Sequence, residues 1–137
     1  MQSTSEPWIA LQQIALARDA AAGCWNIRWQ LDNRGDDALT IHAVHLPHGQ
    51  FKSAVRRFTP ALEVAAGASE RFHTLVQCQE PAGLVTENAF VIFHCQWRSE
   101  AWRIFARIRV DVDTAGEPHT EPELITSQKV GFSGISD

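Results

Sequence analysis

The most compact grouping of side chains that could do chemistry is His42, His45 and His48, which recur at every third residue. On a helix that spacing nearly converges and would offer imidazoles to a metal ion. On a strand an odd spacing sends His42 and His45 to opposite faces. Only a bulge at Val44, or the loop after Pro47 folding back, would bring them together, so they are weak metal candidates and the expectation is no metal and no cofactor. The pair His94-Cys95 invites comparison with copper sites, which need two His, a Cys and usually an axial Met. The only methionine is Met1, and no Cys-x-x-His pattern begins at Cys95. Asp111, Asp113 and Gly116 open like a calcium loop, but Ala115 stands at the third acid position and Pro122 at the closing one.

Covalent and acid–base chemistry fare no better. Gly131-Phe132-Ser133-Gly134 lacks the glycine that a nucleophile elbow needs two places after its serine, where Ile135 stands. Glu80, Glu87, Glu121 and Glu123 fall in loops with nothing to pair them, and there is no glycine-rich phosphate loop. No residue is assigned a catalytic role, and a non-enzymatic protein is expected.

The stretch from Asn88 to Asp113 carries the strongest signal. Two runs of period two flank a short polar break, Arg98 to Ala101, which is a β-hairpin pattern. With Ser99-Glu100 as the two-residue loop, Trp97 faces Trp102, Cys95 faces Ile104 and Phe93 faces Ala106, and this side is wholly apolar. The other side holds Phe90, Ile92, His94 and Gln96 on the first strand and Arg103, Phe105, Arg107 and Arg109 on the second. An ordinary solvated face is polar. Large apolar groups among arginines imply either Arg stems lying over the Phe rings or a partner surface, because interfaces favour Arg and aromatics.

Five tryptophans raise the question of a sugar platform. Trp25 and Trp29 alternate with polar residues beside Ile27 and Leu31 and read as core. Trp97 and Trp102 sit at the hairpin tip, where they could line an open end of the domain together with His48 and the 79–87 loop.

The 137 residues suffice for one domain with a genuine core. Apolar residues make 45% and charged residues 20%, which excludes wholesale disorder. No apolar run approaches the roughly 18 residues of a membrane span. The opening residues Met1 to Pro7 lack the order of a signal peptide, so a cytoplasmic location is expected. Cys24, Cys78 and Cys95 form an odd set without a Cys-x-x-Cys pair, and buried reduced thiols are expected. A net charge of −4 gives no global attraction to phosphate backbones, which makes nucleic acid an unlikely partner.

Along the chain, residues 1–7 are expected to be flexible, 8–132 to form the domain and 133–137 to be loose again. Trp8 to Arg18 fits a helix capped by Ser5 and ended by Gly23. It fits a strand better, with Ile9 and Leu11 alternating and, after a slip at Gln12-Gln13, Ile14 and Leu16. Residues 24–46 read as a second hairpin turning at Asn33 to Asp37. Phe51 to Thr59 reads as a short edge strand ended by Pro60, Glu70 to Cys78 as another strand, and Leu124 to Phe132 as a last strand after an acidic, Pro-punctuated loop.

Six to eight strands without a long helix indicate an all-β fold, an antiparallel two-sheet β-sandwich of about seven strands. The organisation over residues 8–132 resembles the immunoglobulin-like and fibronectin-type-III-like superfold. Cys24 and Cys95 match the outer two positions of the antibody-type pattern, and no tryptophan stands on the third strand between them. A superfold implies no function. The functional expectation is an interaction module that binds protein, or a copy of itself, through Phe90, Ile92, Arg103, Phe105, Arg107 and Arg109. The alternative is a small-ligand, carbohydrate or metal-binding protein using the open end near His48, Trp97 and Trp102.

Overall fold

Alternation decides the architecture, because a strand with apolar residues at every second position must bury one face. The computed structural model describes residues 5–130, apart from the His48 side chain. It contains β1 (Ile9–Arg18), β2 (Cys24–Asn33), β3 (Leu39–His48), β4 (Phe51–Val64), β5 (Ser69–Gln77), β6 (Val85–Trp97), β7 (Glu100–Val112) and β8 (Pro118–Lys129). All pairings are antiparallel, in the order β1-β2-β5-β4-β3-β6-β7-β8. Among the described residues no helix is long and apolar enough to cross a membrane.

The all-β, antiparallel expectation holds, with eight strands in one nearly closed, barrel-like sheet. The ends meet through a side chain that imitates backbone. Gln13 Nε2 donates to Pro118 O at 3.2 Å, and its Oε1 accepts from Thr120 N at 2.8 Å. One amide on β1 therefore makes with β8 the two-bond exchange that a facing strand residue would make. Close by in sequence, Ser127 Oγ donates to Glu6 Oε1 at 3.0 Å.

The β1 strand and its slip are present, with the register shifting between Gln13 and Ala15 so that Leu16 faces Ile27. The expected 24–46 hairpin is not. β2 pairs with β1 and β5, while β3 pairs with β4 and β6, so the chain crosses from one wall to the other at Asn33 to Asp37. β4 runs past Pro60 to Val64 because the register against β3 shifts between Arg57 and Leu62, and Pro60 sits in that irregular stretch, where no ladder donor is needed. The same device lets β8 begin at Pro118, with Pro122 beside the shift at Arg107/Ile108. The C-terminal part of the expected last strand, from Gly131, lies outside the described residues.

The interior is filled rather than hollow. Ile27, Trp29 and Leu31 from β2, Phe72 from β5, Val44 and Leu46 from β3, and Phe93 and Ile104 from β6 and β7 are buried together. Phe72 meets Phe93 edge-to-face at 5.8 Å, joining opposite walls across the core. Trp25 and Trp29 are core as expected, and each indole N–H is satisfied, by Cys78 O and by Thr74 Oγ1, both at 2.9 Å.

Candidate functional site

The organising hairpin forms, with a different turn. Arg98 and Ser99, both at positive φ, make the loop, so Trp97 pairs with Glu100, Cys95 with Trp102 and Phe93 with Ile104. Positive φ at both central positions matches the right-handed twist of the flanking strands. The register is displaced by two residues from the expectation, and a two-residue displacement leaves every side chain on its expected face. The turn is anchored by Arg98, whose Nη2 donates to Asp36 Oδ1 at 3.0 Å, whose Nε meets Asp37, and whose guanidinium lies 4.1 Å over the Trp97 ring.

On the outer face the six expected interface residues come together. Ile92 sits opposite Phe105, Phe90 opposite Arg107, and His94 opposite Arg103. β8 extends the surface, with Leu124 beside Arg107 and Thr126 beside Phe105. Phe90, Ile92 and Phe105 are half-buried and Leu124 is 49% exposed. The arginines do not lie over these Phe rings. Among the described residues, cations stack on Trp25, Phe58, Trp97 and Trp102. Arg107 lies 3.9 Å from Glu123 and Arg109 lies 3.4 Å from Asp111, both exposed pairs of small energetic weight.

The histidines are arranged differently from the expectation. The β3 register shifts between Ile41 and Ala43, which puts both His42 and His45 on the outer face. His42 Nε2 lies 3.4 Å from Gln96 Oε1, while His45 stacks on His94 at 5.4 Å and 22° with its Nδ1 buried and unpartnered. The His48 side chain is outside the described residues. Among the described residues, the three His/Cys/Asp/Glu ligand atoms that gather within 4.8 Å of one another belong to Asp113, Glu117 and His119 in the β7–β8 turn. Asp113 Oδ1 accepts from Ala115 N and Glu117 N at 2.9 Å, and Oδ2 meets His119 Nε2 at 2.8 Å. These bonds, the Glu117 N–H first, hold the Asp113 carboxyl below its usual range. The turn itself accounts for this arrangement.

Burial, then the charges of Arg103, His45 and Arg57, hold the His94 pKa below its ordinary value. The unfolded chain therefore binds more protons than the fold once the pH drops below ~6.5, and stability falls on that side. Thermal melts between pH 7.5 and pH 5 should show the decline, and His94→Gln should flatten it. An unchanged slope would refute the assignment.

The two ends of the barrel separate the other candidates. Trp97 and Trp102 pack edge-to-face at 5.9 Å, only 2% and 7% exposed, and do not offer a ring face to a sugar. Because Leu39 pairs with Trp97 and His45 with Ile92, residues 47–49 lie at the opposite end of β3 from these rings. The structure brings Gly49, Gln50 and Lys52 together instead with Gly23 and residues 77–80 around a cavity of about 470 Å3. All three cysteines are free thiols, and burial pushes Cys95 up to about 12 and raises Cys78, so neither is a ready nucleophile. No protein-family model matches the chain, and a search of curated proteins finds no significant relative.

Sequence reading missed a second exposed feature. Val55 on β4 and Leu75 on β5, 49% and 52% exposed, flank a cleft of about 650 Å3 between two strands that barely pair. Alternation along each strand assigns faces, but it carries no information about where two neighbouring strands diverge.

Proposed function

We propose that this chain is a non-enzymatic β-sheet interaction module that self-associates through the outer face of β6, β7 and β8. The observation that carries the reading is the outer-face pair Ile92 and Phe105, with Phe90 and Leu124 on either side of Arg107, half-buried or exposed and rimmed by Arg103 and Arg109. The same rim holds Glu121 opposite Arg109 and Glu123 beside Arg107. A two-fold contact places a patch against its own copy, so a rim with both charges can pair Arg with Glu across the axis while the centre is buried. Arginine suits this role because its planar fork binds a carboxylate through two directional bonds.

The relation to an immunoglobulin-like or fibronectin-like architecture belongs to this proposal as well. It is supported by β1-β2-β5 lying on one side and β4-β3-β6-β7 on the other, joined among the described residues by the one pair Lys52–Gln77, with β8 as an addition.

Light scattering behind size exclusion at several protein concentrations should find a dimer. Phe105→Glu, which places a charge at the centre of the patch, should convert it to monomer with an unchanged circular dichroism spectrum. A strict monomer in the parent, or an assembly that Phe105→Glu leaves intact, would sink the proposal.

A further inference from the structure

β4 and β5 are neighbours in the sheet, yet among the described residues they share one ladder pair, Lys52–Gln77. On its other side β5 is zipped to β2 from Cys24–Gln77 to Asp32–Ser69. The strands part beyond Gln77, and the opening is the 650 Å3 cleft flanked by Val55 and Leu75, within the size range of ligand clefts (roughly 300–1,000 Å3).

The backbone of β5 faces this cleft with unused ladder groups. In an antiparallel strand a residue turns its N–H and C=O to the same edge, and the edge alternates along the chain. Even-numbered residues turn to β2, since Cys78 N donates to Gly23 O and Ala68 O accepts from Asn33 N. Odd-numbered residues turn to β4, since Gln77 pairs with Lys52 and His73 O accepts from Arg56 Nη1. Leu75, between them, therefore presents its N–H and C=O to the cleft, and no strand pairs with it there among the described residues. Arg56, stacked 4.8 Å over Phe58, occupies the carbonyl that a strand would otherwise use. The lining contains Lys52 and Arg56 and no carboxylate, in a chain whose net charge is −4, and Arg28 of β2 lies opposite His73.

We propose that the cleft between β4 and β5 is a strand-accepting site for an extended segment of a partner protein in which carboxylates alternate with β-branched apolar residues. Strand addition supplies affinity through the main chain and specificity through alternate side chains. The incoming N–H replaces Arg56 at His73 O, and the released guanidinium takes a partner carboxylate, as does Lys52. Period two puts these carboxylates on the outer face, beside Lys52 and the exposed Val55 and Leu75, and turns the apolar residues of the segment inward. Because Gln77 is already paired with Lys52, the open β5 edge from His73 to Val76 accommodates about four residues at ~3.3 Å per residue.

The test uses a fluorescein-labelled hexapeptide alternating glutamate and valine with blocked termini, read by anisotropy against the whole protein. A lysine-for-glutamate version and a version with proline at a central valine should each bind at least about tenfold more weakly, because the first reverses the charge pairing and the second removes a ladder donor. Leu75→Pro removes only an N–H that faces the cleft, which an edge position tolerates, and should abolish binding in a folded protein. Val55→Glu, at an exposed position, should repel the acidic peptide and serves if Leu75→Pro does not fold. Equal binding of the three peptides, or acidic-peptide binding untouched by either variant, would overturn the proposal. So would a dimer of the protein alone that Leu75→Pro dissociates, because the cleft would then hold a second copy. Phe105→Glu should leave peptide binding unchanged, which separates this site from the β6-β7-β8 face.

Discussion

Replacing Trp29 by alanine is expected to cost about 3–5 kcal/mol, the range for truncating a large aromatic in a packed core. Trp29 is 0% exposed, and β2 sits between β1 and β5 so that both flanks of the ring are committed. Set against a whole-domain stability of about 5–15 kcal/mol, this is a large fraction. The melting temperature should fall by roughly 10–20 °C. A second series isolates the polar part. Trp29→Phe keeps most of the volume but leaves the Thr74 hydroxyl buried without its indole donor, a loss of about 1–3 kcal/mol. Adding Thr74→Val should recover much of that loss, because the orphaned group is then gone. A cycle with no coupling between the two sites would mean that the 2.9 Å contact carries no net weight.

Trp29 was legible because its strand states its own burial. Trp25, Ile27, Trp29 and Leu31 alternate with Asn26, Arg28, Gln30 and Asp32, and a period of two needs no knowledge of the rest of the chain. The hairpin of β6 and β7 was legible for the same reason, and even its register error left the outer face correct. What period two cannot give is the identity of a strand's neighbour. β2 runs straight into Asn33 to Asp37, whose turn chemistry is real, but the turn passes the chain to the other wall instead of folding β3 back beside β2. The pairing of β2 with β5 joins Trp25 to Val76, and nothing local to either strand encodes it.

The candidate site divides along the same line. Phe90, Ile92, Phe105 and the arginines were visible as a face, while Leu124 joined them only through the β7–β8 ladder. The His42–His45 spacing misled because the bulge at Ile41/Ala43 adds a residue to β3, turning an odd spacing into a shared face. Gln13 resembled any polar residue at a slip. Its part in meeting β8 depends on strands more than a hundred residues apart being brought side by side.

Asn33 shows the greatest distance between its appearance in the sequence and its place in the fold. As the first residue of a turn it looks replaceable, yet it is 2% exposed and ties three segments together. Its Nδ2 donates to Asp37 O at 2.9 Å and Val64 O at 3.0 Å, and its Oδ1 accepts from Gly35 N at 3.0 Å. Its backbone exchanges bonds with Gly67 and Ala68 in the β4–β5 turn, where Gly67 at φ +76 supplies the left-handed corner. Asn33→Ala removes three side-chain bonds and should cost about 2–4 kcal/mol. Asn33→Asp discriminates further. It keeps the shape and the acceptor for Gly35, but turns a second carboxylate oxygen toward two carbonyls in a buried site. Protonation restores one donor, so the folded-state pKa of the new carboxyl is raised above its unfolded value of ~3.9. A raised carboxyl pKa makes the fold bind more protons than the unfolded chain, so the penalty grows as the pH rises above that value. Urea denaturation at pH 4.5 and pH 7.5 should therefore find Asn33→Asp less destabilised in acid than at neutrality, relative to the parent at each pH. Asn33→Ala should show no such difference. A cost below about 0.5 kcal/mol for Asn33→Ala, the range of ordinary surface changes, would mean that the turn is held by its backbone bonds alone.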